Sequence, residues 1–419
     1  MKILNSKHVQ ASGIYFIGNI LNAAVPFLLM PILTRHLTPS DYGIMSMFGV
    51  LQGIVGNFIG LSIHGAISRR YYDKSNENFS LYVGATVTLL FITLPLVAIA
   101  SFIFKTQISL WTEVPESWVI AASFCAFFQF VALTIQTIWR LEVKPIPFVS
   151  LSLFSSLTNV ATTILLVVFI GMKWEGRILA QVFTGFIVAA ISLLLLWARG
   201  YLKFNVGKNR FRNILKFGLP LIPHSFTGQA FAFIDRFLLT NFIGIAMTGT
   251  YAVAAQIGLV LSLIIDSFHK SYIPWLYSQL SQDSPQLNKR VVRFTFMAIG
   301  VYIVSIAVFA LIMTLSLDYL VGKEFRAAKM FIPWICLGQL FHAFYYLLVP
   351  YIPYSEKTHY LSYITVTSVF INLGFSYYLI LSLGPIGAPI GAGVGYLFSF
   401  IACWFVAAKV HPMPWLFKK

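Results

Sequence analysis

At 419 residues, the chain is 58% hydrophobic and only 10% charged, with a mean hydropathy of +0.81, against roughly a quarter charged in an ordinary soluble domain. These proportions exclude a soluble globular protein, and the lack of period-two alternation excludes a transmembrane barrel. The net charge of +16 sits mostly on residues that flank apolar runs, which marks membrane topology rather than nucleic-acid binding.

Apolar runs between polar punctuation predict an all-α polytopic fold. Twelve transmembrane helices are expected at 11–33, 43–66, 81–104, 118–139, 148–170, 177–198, 218–241, 249–273, 294–316, 329–352, 360–382 and 387–408. Lys2 and Lys7 precede a first run with no small-residue cleavage site, so it is expected to be an uncleaved span. Six cations, Arg199, Lys203, Lys208, Arg210, Arg212 and Lys216, crowd the stretch between spans six and seven.

That stretch divides the chain into an N-terminal six-helix lobe (1–198), a basic cytoplasmic linker (199–217) and a C-terminal six-helix lobe (218–419). With the N-terminus inside, twenty Lys and Arg fall on the inner side. Seven fall outside, namely Arg35, Lys105, Lys173, Arg177, Lys323, Arg326 and Lys329. This bias predicts that both termini are cytoplasmic. Two halves of six spans enter the membrane in the same sense, as in a parallel repeat.

Ionisable residues inside a span usually face a bundle interior or a wet cavity. Asp235 and Arg236 in span seven are the leading candidates, about 17 residues and roughly 25 Å of helix rise beyond Gly218. Adjacent residues point about 100° apart on a helix, so each is expected to pair with other helices. In span eight Asp266 and Lys270 share a helical face, with His269 beside them, and suit a gate or a coupling site; a local ion pair is the plainer reading.

Neutral polar residues gather in the first two spans of each half: Asn19, Asn22, Gln52, Asn57 and His64, then His224, Gln229 and Gln256. Such groups line hydrated cavities and contact sugar hydroxyls, although any single one is more often interhelical glue than a ligand contact. Arg70, Arg140 and the linker cations are candidates for the inner entrance, because the guanidinium fork suits phosphate. Pro26 and Pro31 in span one, with Pro220 and Pro223 at the start of span seven, are candidate bends.

Gly387, Gly391 and Gly395 form a small-residue stripe for close helix packing. Cys125, Cys336 and Cys403 fall inside spans without ligand spacing, so neither metal nor disulfide is expected. Without a phosphate-binding Lys or a preceding strand, Gly391–Gly395 is not a nucleotide loop. Neither a zinc signature nor a hydrolase triad stands out, so no cofactor and no enzymatic activity are expected.

Four motifs carry a family resemblance: Pro31-Ile-Leu-Thr-Arg-His-Leu-Thr-Pro-Ser-Asp-Tyr-Gly43, Trp174-Glu-Gly-Arg-Ile-Leu-Ala-Gln181, Asp235-Arg-Phe-Leu-Leu239 and Gly384-Pro-Ile-Gly-Ala388. With them the chain resembles the Wzx-type O-antigen and polysaccharide flippases of the multidrug/oligosaccharidyl-lipid/polysaccharide exporter superfamily. The resemblance implies two lobes around a central cationic cavity in the bacterial inner membrane. It implies alternating access that moves an undecaprenyl-diphosphate-linked oligosaccharide to the periplasmic leaflet, alongside polysaccharide assembly proteins.

Asp235 and Arg236 lie in the matching motif as site residues, and Arg35, Asp41, Glu175 and Arg177 lie in motif loops. A proton or sodium ion bound at Asp235 or Asp266 is the candidate for energy coupling. A drug/cation antiporter of the same superfamily and a membrane glycan polymerase are the alternatives. The first six spans hold no mid-span Asp or Glu for an antiporter, and the outer loops are short for a polymerase.

Overall fold

The computed structural model describes residues 7–72, 79–203, 207–282 and 284–415, with backbone alone at 7–12, 16, 19, 20, 23, 223, 224, 227 and 228. Every regular element among the described residues is helical, as expected where a backbone in hydrocarbon must satisfy its own hydrogen bonds. The first eight α-helices are α1 (Lys7–His36), α2 (Pro39–Gly60), α3 (Ile63–Tyr72), α4 (Phe79–Ile103), α5 (Lys105–Thr112), α6 (Glu116–Leu141), α7 (Pro145–Thr163) and α8 (Trp174–Ala198). They are followed by α9 (Lys208–Gly218), α10 (Ile222–Phe242), α11 (Ile245–Leu280), α12 (Pro285–Leu320), α13 (Ile332–Leu348), α14 (Tyr351–Tyr354), α15 (His359–Leu383) and α16 (Gly387–Val410).

Among the described residues, nine helical segments are long and apolar enough to cross a membrane, and the last of them, His359–Val410, comprises both α15 and α16. This is a multi-pass membrane protein. Helices α1 and α10 lie over the first and seventh expected spans.

The chain divides into two compact units, Met1–Gln229 and Ala230–Lys419, and the division falls within α10. In the first unit α6 packs against α2, α4 and α8. Ile67, Val83, Val87, Ile135, Ile138, Trp139 and Leu196 are buried together in its core. In the second unit α16 packs against α15 and α13, over a core that includes Leu276, Val291, Val292, Leu347, Leu348, Tyr351 and Cys403. The exterior is apolar in the way lipid requires. On α12, Val304, Leu311 and Leu315 are all exposed, an arrangement that in water would forgo about 1.5–3 kcal/mol per side chain.

Several motif residues turn out to shape the backbone. Asp41 was expected in a loop but sits in the first turn of α2. Thr38 Oγ1 accepts from the Asp41 amide at 3.2 Å, and Asp41 Oδ2 accepts from the Thr38 amide at 2.9 Å, closing a reciprocal cap. The expected second span, 43–66, is interrupted: Leu61 and Ser62 adopt φ of 43° and 51°, ending α2 and restarting the chain as α3. Left-handed backbone at a non-glycine residue costs about 1–2 kcal/mol. It is offset here by burial of Leu61 and Ile63 and by a capping bond from the Leu61 amide to the Asn57 carbonyl at 3.2 Å.

The glycine stripe does close-packing work. A Cβ on Gly387 would lie 2.2 Å from the carbonyl carbon of Leu379, and one on Gly391 would lie 2.2 Å from Ser376 Oγ. Only glycine lets α16 approach the α15 backbone this closely. Gly384, at φ 71°, makes the turn between the two helices. Pro26 and Pro31 lie inside a continuous α1, and Pro220 lies in a 3-10 turn, Leu219–Leu221, that precedes α10.

The basic stretch becomes the amphipathic helix α9, which packs on α3 and α4. Ile214 and Gly218 are buried while Lys208, Arg212 and Lys216 are exposed. Its approach is anchored at Glu142, which accepts from Tyr201 and pairs with Lys144 at 2.7 Å and with Arg199 at 3.8 Å. Burial alone would raise the Glu142 carboxyl, but the bonds from Lys144 and Tyr201 hold it below its usual range. Burial and then the Glu142 contact push Tyr201 up to about 12.

A surface helix of this kind attracts anionic headgroups at about 1 kcal/mol per cation. Neutralising Lys208, Arg210 and Arg212 together is expected to deplete co-purifying anionic phospholipid without changing helix content. Lipid mass spectrometry and circular dichroism on the same preparation check this, and unchanged lipid would leave α9 as a connector only.

Candidate functional site

In the first unit, α1, α2, α6, α7 and α8 enclose a cavity of about 440 Å³. Half of its lining is uncharged and polar: Asn22, Gln52, Gln129, Gln136, Asn159 and Gln181, with hydroxyls from Ser155, Ser156 and Thr184. Val25, Pro26, Phe128 and Leu133 supply apolar faces. Among the described residues, one lining residue, Arg177, is charged, and no carboxylate lines the space.

The lining groups hold one another in place. Ser156 Oγ donates to Asn22 Oδ1 at 2.6 Å, and Gln52 Nε2 donates to Gln129 Oε1 at 3.2 Å. Arg177 Nη1 donates to Asn159 Oδ1 at 2.5 Å and to Thr163 Oγ1 at 2.9 Å.

The Trp174-Glu-Gly-Arg motif explains why this arginine points inward. The end of the α7 rod widens into a π-helix at Ile164–Phe169, and Gly171, at φ 77°, turns the chain into α8. A Cβ on Gly176 would lie 2.7 Å from Met172 Cβ and 3.2 Å from Leu166 Cβ, so glycine lets the start of α8 seat against that turn. Trp174 packs edge-on to Trp118 at 5.5 Å. The first turn of α8 is thus clamped on both sides and Arg177 is delivered to the cavity.

The second unit holds a buried carboxylate. Asp235 on α10 is 4% exposed, and Tyr251 on α11 donates to its Oδ2 at 2.6 Å. Oδ1 has no hydrogen-bond partner among the described residues. One turn earlier Phe231 stacks on Tyr396 of α16 at 4.6 Å, and ring contacts continue from Tyr396 to His342 at 4.9 Å and from His342 to Tyr346 at 4.4 Å. His269 completes the series, stacked on Tyr346 at 4.2 Å with its Nδ1 bonded to the Tyr346 carbonyl. On α15, Ser376 donates to Asn372 Oδ1 at 2.7 Å in a fully buried pair.

The remaining candidates are dispersed. Arg236 is partly exposed, and its Nη1 donates to the Ala232 carbonyl of its own helix at 3.0 Å. Asp266 and Lys270 form the expected i,i+4 pair at 2.5 Å, with Lys270 largely exposed. Arg70 lies over the Tyr82 ring at 5.6 Å; Arg140 lies over Phe148 at 5.8 Å and donates to Thr137 at 3.2 Å. Asn57 donates to the Gly53 carbonyl at 3.1 Å, His64 is exposed, Gln229 packs over Gly53, and Gln256 is half-buried in α11. The side chains of Asn19 and His224 lie outside the described residues.

Of the neutral candidates, Asn22 and Gln52 reach the cavity. Its other polar walls, Gln129, Gln136, Asn159 and Gln181, were missed by a reading that looked to spans one, two, seven and eight. A signal was available: Gln129 and Gln136 are seven apart, so they share one face of span four and require a polar neighbour. Arg177, expected in a motif loop, instead stands in the first turn of α8.

Residues 9–281 match the family described as polysaccharide biosynthesis protein. The chain belongs to that family. A Haemophilus influenzae "uncharacterized membrane protein" is 31% identical over 87% of this chain and 89% of its own length. The "probable low-salt glycan biosynthesis flippase Agl15" of Haloferax volcanii is 20% identical over 94% of this chain and 84% of its own.

Among solved structures, the lipid II flippase MurJ in an inward closed conformation superposes with a TM-score of 0.74 at 15% identity, covering 94% of this chain and 87% of that one. An inward-facing multidrug resistance MATE transporter gives 0.69 at 14% identity, over 93% and 98% of the two chains. This member of the polysaccharide biosynthesis protein family therefore has the fold shared by MurJ and the MATE transporters.

Proposed function

We propose that the protein is a flippase that carries an undecaprenyl-diphosphate-linked oligosaccharide from the cytoplasmic to the periplasmic leaflet of a bacterial inner membrane, for O-antigen or a related surface polysaccharide. The reading includes twelve crossings in two six-helix lobes, cytoplasmic termini, alternating access, no enzymatic step, and polysaccharide assembly proteins as partners. The physical need is plain. Diphosphate and glycan cannot enter hydrocarbon, where each unsatisfied polar group costs several kcal/mol, so the protein supplies polar contacts while the prenyl tail stays in lipid.

The observation that carries the reading within this family is the lining of the first-unit cavity by amides, hydroxyls and one arginine. Amides and hydroxyls are the partners sugars use. The fold shared with MATE transporters favours the second reading, a drug/cation antiporter, but a cation site in the first-unit cavity calls for carboxylates, and none lines it among the described residues. A glycan polymerase is the less supported enzymatic alternative. Coupling is assigned to Asp235, whose Oδ1 is buried with no partner among the described residues, with a proton or sodium ion as the exchanged species. Asp266, already paired with Lys270, is the weaker coupling candidate.

Deleting the gene is expected to cause lipid-linked repeat units to accumulate on the inner leaflet, and the purified protein is expected to carry them into mass spectrometry. Polymerised lipid-linked glycan made by the protein alone, or no accumulation with a full surface polymer, would overturn the proposal.

A further inference from the structure

The guanidinium of Arg177 is in an unusual position for a charge inside an apolar bundle. It is half-buried, and it lines the first-unit cavity. Its two side-chain hydrogen bonds come from Nη1, to Asn159 and Thr163, and use that nitrogen's two protons. Among the described residues, Nε and Nη2, which together form the side edge of the fork, make no hydrogen bond, and no carboxylate pairs with the group.

A half-buried cation in a membrane protein without a counter-charge is costly unless a ligand supplies one. The free edge presents parallel N–H donors, the geometry that binds a carboxylate in two bonds. Around it stand Gln129, Gln136, Gln181 and Asn22, able both to donate and to accept, and the ring of Phe128 offers an apolar face. Hydroxyls, a ring face and one carboxylate are the chemistry of a hexuronic acid. At about 440 Å³ the space lies within the range of roughly 300–1,000 Å³ typical of small-molecule sites.

We infer that this cavity is a binding site for an acidic sugar residue, held by its carboxylate on the Nε and Nη2 edge of Arg177 and by its hydroxyls on the surrounding amides. The inference rests on the flippase reading for its biological source, the glycan being carried, and it narrows that substrate to one with a carboxylated sugar. The same edge would also accept a free carboxylate, so the test must separate the two sources.

The full-length protein in detergent is titrated by calorimetry with glucuronate, with glucose and with acetate at matched ionic strength. Glucuronate is expected to bind, with glucose and acetate each at least about tenfold weaker, a difference of about 1.4 kcal/mol. Arg177→Gln should abolish the preference for glucuronate over glucose. Arg177→Lys, which keeps the charge but not the fork, should weaken glucuronate by about tenfold. Gln136→Leu guards against misfolding at the arginine: it leaves Arg177 untouched and should weaken glucuronate while acetate is unaffected.

Equal binding of glucuronate and glucose, or no binding of either, overturns the inference. Acetate binding as tightly as glucuronate overturns the sugar assignment and leaves a free-carboxylate site. The accumulation of lipid-linked repeat units in the deletion strain is read separately. Loss of glucuronate binding with accumulation intact therefore rejects this site alone, and the reverse outcome rejects the flippase reading alone.

Discussion

Asp235→Asn is expected to leave the fold intact and to reduce transport by at least about tenfold. The side-chain amide oxygen still accepts from Tyr251, so the bond seen at 2.6 Å survives and thermal stability should stay within about 1 kcal/mol of the parent. What the variant lacks is an atom at Oδ1 that can carry negative charge or a proton, the property on which coupling rests. Asp235→Leu, by contrast, strands the buried Tyr251 hydroxyl and should cost about 1–3 kcal/mol of stability as well.

The measurement is flipping in proteoliposomes with proton and sodium gradients imposed and then collapsed, beside a thermal unfolding curve for each variant. Wild-type protein should slow when the coupling gradient is collapsed, and the Asn variant should be slow in both conditions. An Asn variant that transports at the parental rate and responds normally to collapse removes Asp235 from the mechanism.

Gly391→Val is expected to be the most destructive single substitution in the second unit. Its Cβ alone would lie 2.2 Å from Ser376 Oγ and 2.5 Å from Ser376 Cα and N, and a backbone atom has no rotamer by which to retreat. Overpacking of this kind typically costs about 1–3 kcal/mol, and the contact with backbone places this case at or above the upper end. It would also disturb the buried Ser376–Asn372 pair. Gly300→Ala is the matched control: nothing lies within 4 Å of its added Cβ, so it should gain about 0.5–1 kcal/mol of helix stability. Size-exclusion profiles and unfolding midpoints of the two variants, compared with the parent, check both. A Gly391 variant as stable as the Gly300 variant would show that α15 and α16 are not held at this separation.

Some of this was legible along the chain because it depends on local composition. Apolar runs specify helices wherever a backbone must hydrogen-bond to itself; helix overlies the expected segments, with 43–66 broken at Leu61 and Ser62, and nine helical segments among the described residues are long and apolar enough to cross a membrane. The glycine spacing at 387, 391 and 395 predicted a close helix pair, and the Asp266–Lys270 spacing predicted an ion pair. The break at Leu61 and Ser62 was not legible, since the left-handed residues are not glycine and their backbone is offset by burial of Leu61 and Ile63 in the packed unit.

The candidate site divides in the same way. Asp235 was recognisable as an expensive charge within an apolar span, but that Tyr251, 16 residues on, would be its donor required the packing of α10 on α11. Arg236, its equal in the sequence, bonds to a carbonyl of its own helix. Gln129, Asn159 and Arg177 sit on three different helices and carry no shared motif. Each alone resembles glue between helices, and only their convergence makes a cavity.

The sequence by itself determined the membrane class, the helical segments and the resemblance to flippases, because hydropathy and turn chemistry act over a few residues at a time. The tertiary structure alone decided which polar groups face one another and which charge meets no counter-charge among the described residues. Those outcomes depend on helix rotation and separation, set by contacts such as Gly176 against Leu166 and Gly391 against Ser376, between residues up to 15 positions apart.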